Sequence, residues 1–185
     1  MIAAALGSAL PASVGIGVSR IDDDAPPLLP GEGDAVARAV CARRREFAAG
    51  RAAARSALVG IGGAAVAIPA GADRAPVWPD GFCGSITHGT SHAVAIAARR
   101  TRWASVGLDL DRATPLDPTL AAALAAPGDR PGAFFPPSLR AMLMFCVKEA
   151  AFKAQFPLTG LWLDFRDIAV ALSEYRFRLE IGGVP

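Results

Sequence analysis

Lysine is almost missing from this sequence. Among 19 basic residues in a chain of 185, only Lys148 and Lys153 are lysines; the other seventeen are arginine. Cysteine is scarce and odd in number (Cys41, Cys83 and Cys146), and the spacing suits no metal. That excludes a disulfide framework or a structural zinc site and reads as reduced thiols of a cytoplasmic protein. No long apolar run is uninterrupted. Residues 1–18 are apolar, but they contain Pro11 and Gly15 and lack a basic start, so neither a signal peptide nor a membrane span is expected. Surplus charge is also small. At a net +2, with aromatics at 7% that are not interleaved with the arginines, the chain is not expected to bind nucleic acid. What it has in quantity is apolar residues, 52% of the chain, enough for one substantial core or two small, packed halves. Alanine runs such as residues 121–126 read as compositional drift and carry little helix information.

The two lysines fall within six residues and bracket a glutamate, in Val147-Lys148-Glu149-Ala150-Ala151-Phe152-Lys153-Ala154. The pattern predicts a helix over 138–155, with Ser138 as N-cap and Pro157 stopping it at Phe156. It is apolar nearly all round, so it is expected to be buried, with Glu149 near low-dielectric surroundings. Glu149 and Lys153 then lie on one side, about 40° apart around the axis. An ordinary surface ion pair is the plain alternative. Upstream, Val106-Gly107-Leu108-Asp109-Leu110-Asp111 alternates as a strand. Its two aspartates share a face, with Cα atoms ~6–7 Å apart. Carboxylates so close repel unless a cation or solvent intervenes. With Glu149 they make three hard oxygen ligands that suit Mg²⁺; the alternative is a solvated acidic strand face.

Residues 13–20 read as a strand, followed by an acidic, proline-rich loop over 22–33 and a helix opening at Asp34 as N-cap. Residues 43–58 are the basic centre. If they form one helix, Arg44, Arg51 and Arg55 share a stripe that suits a phosphate; if Gly50 splits the segment, that geometry is lost. A solvated helix face is the plain reading. After punctuation over 60–71 comes a turn-rich stretch from Arg74 through Trp78-Pro79-Asp80-Gly81. Next are Gly84-Ser85-Ile86-Thr87-His88, whose histidine can donate to phosphate, and a buried strand over 93–98. Residues 115–137 are loop-rich, with a short alanine helix and a partly exposed, mobile apolar segment at Phe134-Phe135. Residues 168–172 and 175–181 read as strands, the last with one wet face as in an antiparallel sheet. Residues 14–20 echo residues 106–112, each followed by a long helix, which suggests two related halves.

These pieces, in this order, resemble the 4′-phosphopantetheinyl transferases of the single-chain, two-halved type that serves siderophore, polyketide and lipid synthases. The motifs are Arg44-Arg45-Glu46-Phe47 with Gly50-Arg51, Trp78-Pro79-Asp80-Gly81, Gly84-Ser85-Ile86-Thr87-His88, Gly107-Leu108-Asp109-Leu110-Asp111, Lys148-Glu149 through Lys153, and Phe156-Pro157-Leu158-Thr159-Gly160 with Trp162-Leu163-Asp164-Phe165. The resemblance implies an α/β (α+β) fold of two pseudo-twofold-related halves, residues 1–104 and 105–185, each with a small, mainly antiparallel sheet and a long helix. The two are expected to form one compact, monomeric unit. It also implies transfer of phosphopantetheine from coenzyme A to a serine of an acyl or peptidyl carrier protein, releasing 3′,5′-ADP. The alternative is a coenzyme A-binding pseudoenzyme without turnover. By the same resemblance, Asp109, Asp111 and Glu149 would hold Mg²⁺, which Mn²⁺ could replace. Glu149 would take the serine proton, directly or through water, and Lys153 would steady the diphosphate. Arg44, Arg51, Arg55, Arg74, Ser85, Thr87 and His88 would hold the coenzyme. Three features depart from the usual pattern: Asp111 stands where relatives have glutamate, Phe145-Cys146-Val147 precedes Lys148, and relatives commonly continue past the position of Pro185 through further strands.

Overall fold

A computed structural model describes residues 2–24, 26–173 and 177–181. The chain divides into two compact units, Met1–Leu110 and Asp111–Pro185.

In the first unit a short helix, α1 (Ile2–Ala9), precedes strand β1 (Val14–Arg20). After a 3₁₀ turn at Gly33–Val36 come helix α2 (Cys41–Gly60) and strands β2 (Phe82–His88) and β3 (His92–Arg99). The three strands form an antiparallel sheet in the order β1-β3-β2. Asp34 lies inside the 3₁₀ turn, not at a helix start, and α2 opens seven residues further on, after Val40. Arg44 takes part in that opening, donating to the carbonyls of Ala37 and Ala39.

Helix α2 runs unbroken through Gly50 for 20 residues. The glycine serves packing: a Cβ there would stand 3.2 Å from Ile86 Cγ2. Small residues are the design of this layer. Register pairs Gly17 with Ala95 and Gly15 with Ala97, so all four face the helix from neighbouring strands. A Cβ on Gly17 would fall 1.9 Å from the Ala53 carbonyl oxygen, and one on Gly15 2.0 Å from that of Ala57. Ala53, Ala54 and Ala57 are fully buried against this surface, with Leu58 and Ile68 completing the core. On α2, therefore, alanine is the packing face and not compositional drift.

Residues 106–111, expected as a strand, join no ladder. They run beside edge strand β2 and are held by its hydroxyls. Ser85 Oγ accepts from Leu108 N at 3.1 Å, and Thr87 Oγ1 accepts from Leu110 N at 3.2 Å. Side chains have taken the place of a backbone ladder.

In the second unit, α3 (Pro118–Leu124) is capped by Asp117, which accepts from Thr119 N and Leu120 N. A 3₁₀ turn at Pro137–Leu139 leads into the 20-residue α4 (Arg140–Thr159), and another, Phe165–Asp167, leads into β4 (Ile168–Leu172), which pairs antiparallel with β5 (Phe177–Ile181). The expected start of that last strand, Tyr175-Arg176, lies outside the described residues.

Helix α4 differs from expectation in three ways. Ser138 belongs to the preceding turn and does not cap it. Pro157 lies inside the last turn, and the helix ends only at Gly160, whose φ of 66° is the left-handed conformation that glycine adopts freely. Nor is the helix buried all round. Met144, Lys148, Ala151 and Gln155 form one buried stripe, because a two-stranded sheet and a short helix cover one face only. No helix among the described residues is long and apolar enough to cross a membrane.

Candidate active site

The buried stripe of α4 turns the neighbouring positions, Glu149 and Lys153, to its edge. Their side chains are about one third exposed, with Lys153 Nζ 4.0 Å from Glu149 Oε2. Glu149 lines a cavity of about 140 Å³ together with Lys148, Phe152, Trp162, Leu163, Asp164, Phe165 and Ile168. Two phenylalanines one turn apart, Phe152 and Phe156, stack at 5.4 Å, and both meet Trp162 edge-on. Trp162 is nonetheless 79% exposed. Gln155 holds the loop that carries it, donating to Leu161 O at 2.9 Å. A carboxylate beside an apolar cleft and an ammonium can accept a proton from a hydroxyl brought there, while the cation holds an anionic group.

Lys148 has a different role from its neighbours. It is 1% exposed and donates to Asp129 Oδ2 (2.7 Å), Leu124 O (2.9 Å) and Phe165 O (3.0 Å). Asp129 carries no motif, and nothing in its sequence surroundings pointed to it.

In the first unit the predicted arginine stripe proves to be three residues with three different engagements. Arg44 is bonded to backbone carbonyls. Arg55 donates to both oxygens of Glu32 (2.9 and 2.7 Å), a carboxylate with 0% exposure that also accepts from Leu29 N and Ile68 N. Arg55 thus neutralises a buried acid and serves the fold. Arg51 is 5% exposed, its guanidinium lies 4.1 Å above the Phe47 ring, and its Nε is buried with no hydrogen-bond partner. Burial is the main force on its pKa, which falls to about 10. Glu32 opposes that fall, and Arg43 and Arg55 add to it.

A fourth arginine, not among the residues singled out from the sequence, lies beside His88. Arg43 Nη1 donates to exposed His88 Nε2 at 3.1 Å and to Glu46 Oε2 at 3.1 Å. A donor-rich pair therefore sits where the end of β2 meets the first turn of α2. Its signal was available: Arg43 precedes Phe47 by one turn and Arg51 by two. Arg74 is exposed in a turn with φ 68°. Ser85 and Thr87 are buried, with their hydroxyls directed at residues 108–110. Thr87 Oγ1 also donates to Asp109 Oδ1 at 3.0 Å, which orients that carboxylate. Both hydroxyls thus engage the 108–110 segment.

Asp109 belongs to the first unit, Asp111 and Glu149 to the second. Asp111 is exposed and accepts from Arg112 N at 2.6 Å. Carboxylate oxygens are the donors Mg²⁺ prefers, and Asp109 already has a hydrogen-bond donor that fixes its orientation, but among the described residues no three His, Cys, Asp or Glu side chains are grouped so as to hold a metal ion.

Residues 31–98 match the family model for the 4′-phosphopantetheinyl transferase N-terminal domain. The chain is similar to the 4′-phosphopantetheinyl transferase PptT of Mycobacterium tuberculosis, 38% identical over 171 residues that cover 88% of this chain and 74% of that protein. It is similar to Npt of Nocardia iowensis (36% over 140 residues, 75% and 63%) and to Svp of Streptomyces mobaraensis (39% over 156 residues, 82% and 63%), both also named as 4′-phosphopantetheinyl transferases. It therefore spans under two thirds of the last two relatives' length. With relatives at this identity over most of its residues, the chain belongs to the 4′-phosphopantetheinyl transferase family.

Proposed function

We propose that this chain transfers the 4′-phosphopantetheine group of coenzyme A to a serine hydroxyl of an acyl or peptidyl carrier protein, releasing 3′,5′-ADP. The observation that carries this reading is the Glu149–Lys153 edge of α4 beside an aromatic-walled cleft. A thin arm such as pantetheine, with apolar methyl and methylene groups between its amides, suits that cleft. Glu149, directly or through a water, accepts the serine proton as the serine oxygen bonds to the pantetheine-bearing phosphorus. The bond from that phosphorus to the bridging oxygen breaks, and the electron pair leaves with 3′,5′-ADP. Lys153 holds diphosphate oxygens as a compact charge. Arg43 and His88 hold a further phosphate of the coenzyme, and Arg51 supplies a buried cation with an unused donor behind them. Asp109, Asp111 and Glu149 would hold Mg²⁺, or Mn²⁺ in its place, which when bound offsets charge on the diphosphate.

The test is modification of a panel of carrier proteins from siderophore, polyketide and lipid synthases, followed by intact mass, with Mg²⁺ and with a chelator. Wild type should add one phosphopantetheine to at least one carrier, and Glu149→Gln should lower kcat by roughly 10²–10⁴-fold. Coenzyme A binding with no modified carrier and no 3′,5′-ADP would overturn the reading in favour of a binding protein without turnover.

A further inference from the structure

Lys148 adjoins Glu149 in sequence, yet it points into the unit, and the three hydrogens of its ammonium meet three acceptors. Those acceptors are the end of α3, the carboxylate of Asp129, and the 3₁₀ turn before β4. Asp129 in turn accepts from Ala126 N (2.8 Å) and Val170 N (2.9 Å). One buried cation thus ties α3, the 125–131 loop, the 3₁₀ turn and β4 to a single point on α4, one residue from the proposed proton acceptor. Lys148 also borders two cavities of this unit, the cleft beside Glu149 and an apolar groove of about 430 Å³ that Asp129 lines.

A buried ion pair is a poor way to gain stability, since apolar residues of similar size often do as well or better. What it fixes is geometry. An arginine's planar fork cannot converge on three acceptors as an ammonium does, which accounts for one of the two lysines in a chain that otherwise uses arginine. We infer that Lys148 and Asp129 are a positioning pair: together they set the rotation of α4 and the place of the Phe165 wall, and so the aim of the Glu149 carboxylate. The inference rests on the function proposed above.

The full chain is compared as wild type, Asp129→Asn, and the double variant Lys148→Met with Asp129→Asn. The double variant removes both charges, so it keeps the test valid where an uncompensated buried ammonium unfolds the single one. Three quantities are measured at a temperature well below each variant's Tm: the calorimetric Kd for coenzyme A without metal, the KM for carrier, and kcat. A misaimed proton acceptor lowers kcat by about 10- to 100-fold while Kd and KM stay within about threefold. A double variant with kcat within about twofold of wild type, or with kcat and Kd impaired equally, would overturn the inference, as would loss of the folded state in both variants. Absence of transfer by wild type would instead overturn the proposed function.

Discussion

Arg51 carries a positive charge to a place that is almost without water. Its pKa falls to about 10 chiefly through burial, so the folded state disfavours the charged form. For a base whose folded value lies below its unfolded one, that penalty is present in full below about pH 10 and is relieved as pH rises from there toward the ordinary guanidinium value. Phe47 offsets part of it through the ring face. Arg51→Met should therefore be neutral or stabilising, by about 1–4 kcal/mol, while the loss of a charge-assisted donor raises the KM for coenzyme A by roughly tenfold. Thermal melts and transfer kinetics check this; a lower Tm with unchanged KM would assign Arg51 to the fold. Helical spacing made the stripe Arg44, Arg51 and Arg55 legible. Spacing could not show that Glu32, 23 residues before Arg55, would claim that guanidinium, or that Arg43 would be the one to meet His88.

Elements were legible where the local pattern and the packing agree. The strands over residues 14–20, 93–98 and 168–172 and the helix carrying Glu149 were expected, whereas the sequence left open whether Gly50 splits residues 43–58, which form part of one helix. Disagreements arise where a partner replaced a local rule. Residues 106–111 alternate like a strand, but the hydroxyls of Ser85 and Thr87 hold them in place of a ladder. Pro157 was expected to end α4, yet a proline in the last turn removes one donor only, and the chain continues to Gly160. The contact of β1 with α2 is the firmest element-scale constraint, because backbone carbonyls occupy the space a side chain would need. Gly17→Ala should cost about 3 kcal/mol or more and lower Tm by roughly 10 °C. A circular-dichroism melt tests it, and a shift within two or so degrees would mean that the helix moves away easily.

Each unit pairs one 20-residue helix with a small antiparallel sheet. In the second unit Phe134 is 60% exposed. Its ring meets Phe135 edge-on, and Arg140 holds their loop through the carbonyls of Ala133 and Phe135. We expect a carrier protein to dock there. Replacing both phenylalanines with serine should raise the carrier KM by about tenfold and leave coenzyme A affinity unchanged, since such exposed aromatics anchor partners but not small ligands. Steady-state kinetics against carrier concentration decide it, and an unaltered carrier KM would place docking elsewhere. From the sequence alone came the family, the long helix carrying Glu149, the pairing of Glu149 with Lys153, and the acidic and basic residues from which a site could be built, because motif order and helical spacing are local properties of a chain. Only the tertiary structure decided which polar side chains are engaged inside the fold. Arg55 goes to Glu32, Lys148 to Asp129, and Ser85 and Thr87 go to residues 108–110, because a buried polar group must find its partner wherever the folded chain puts one.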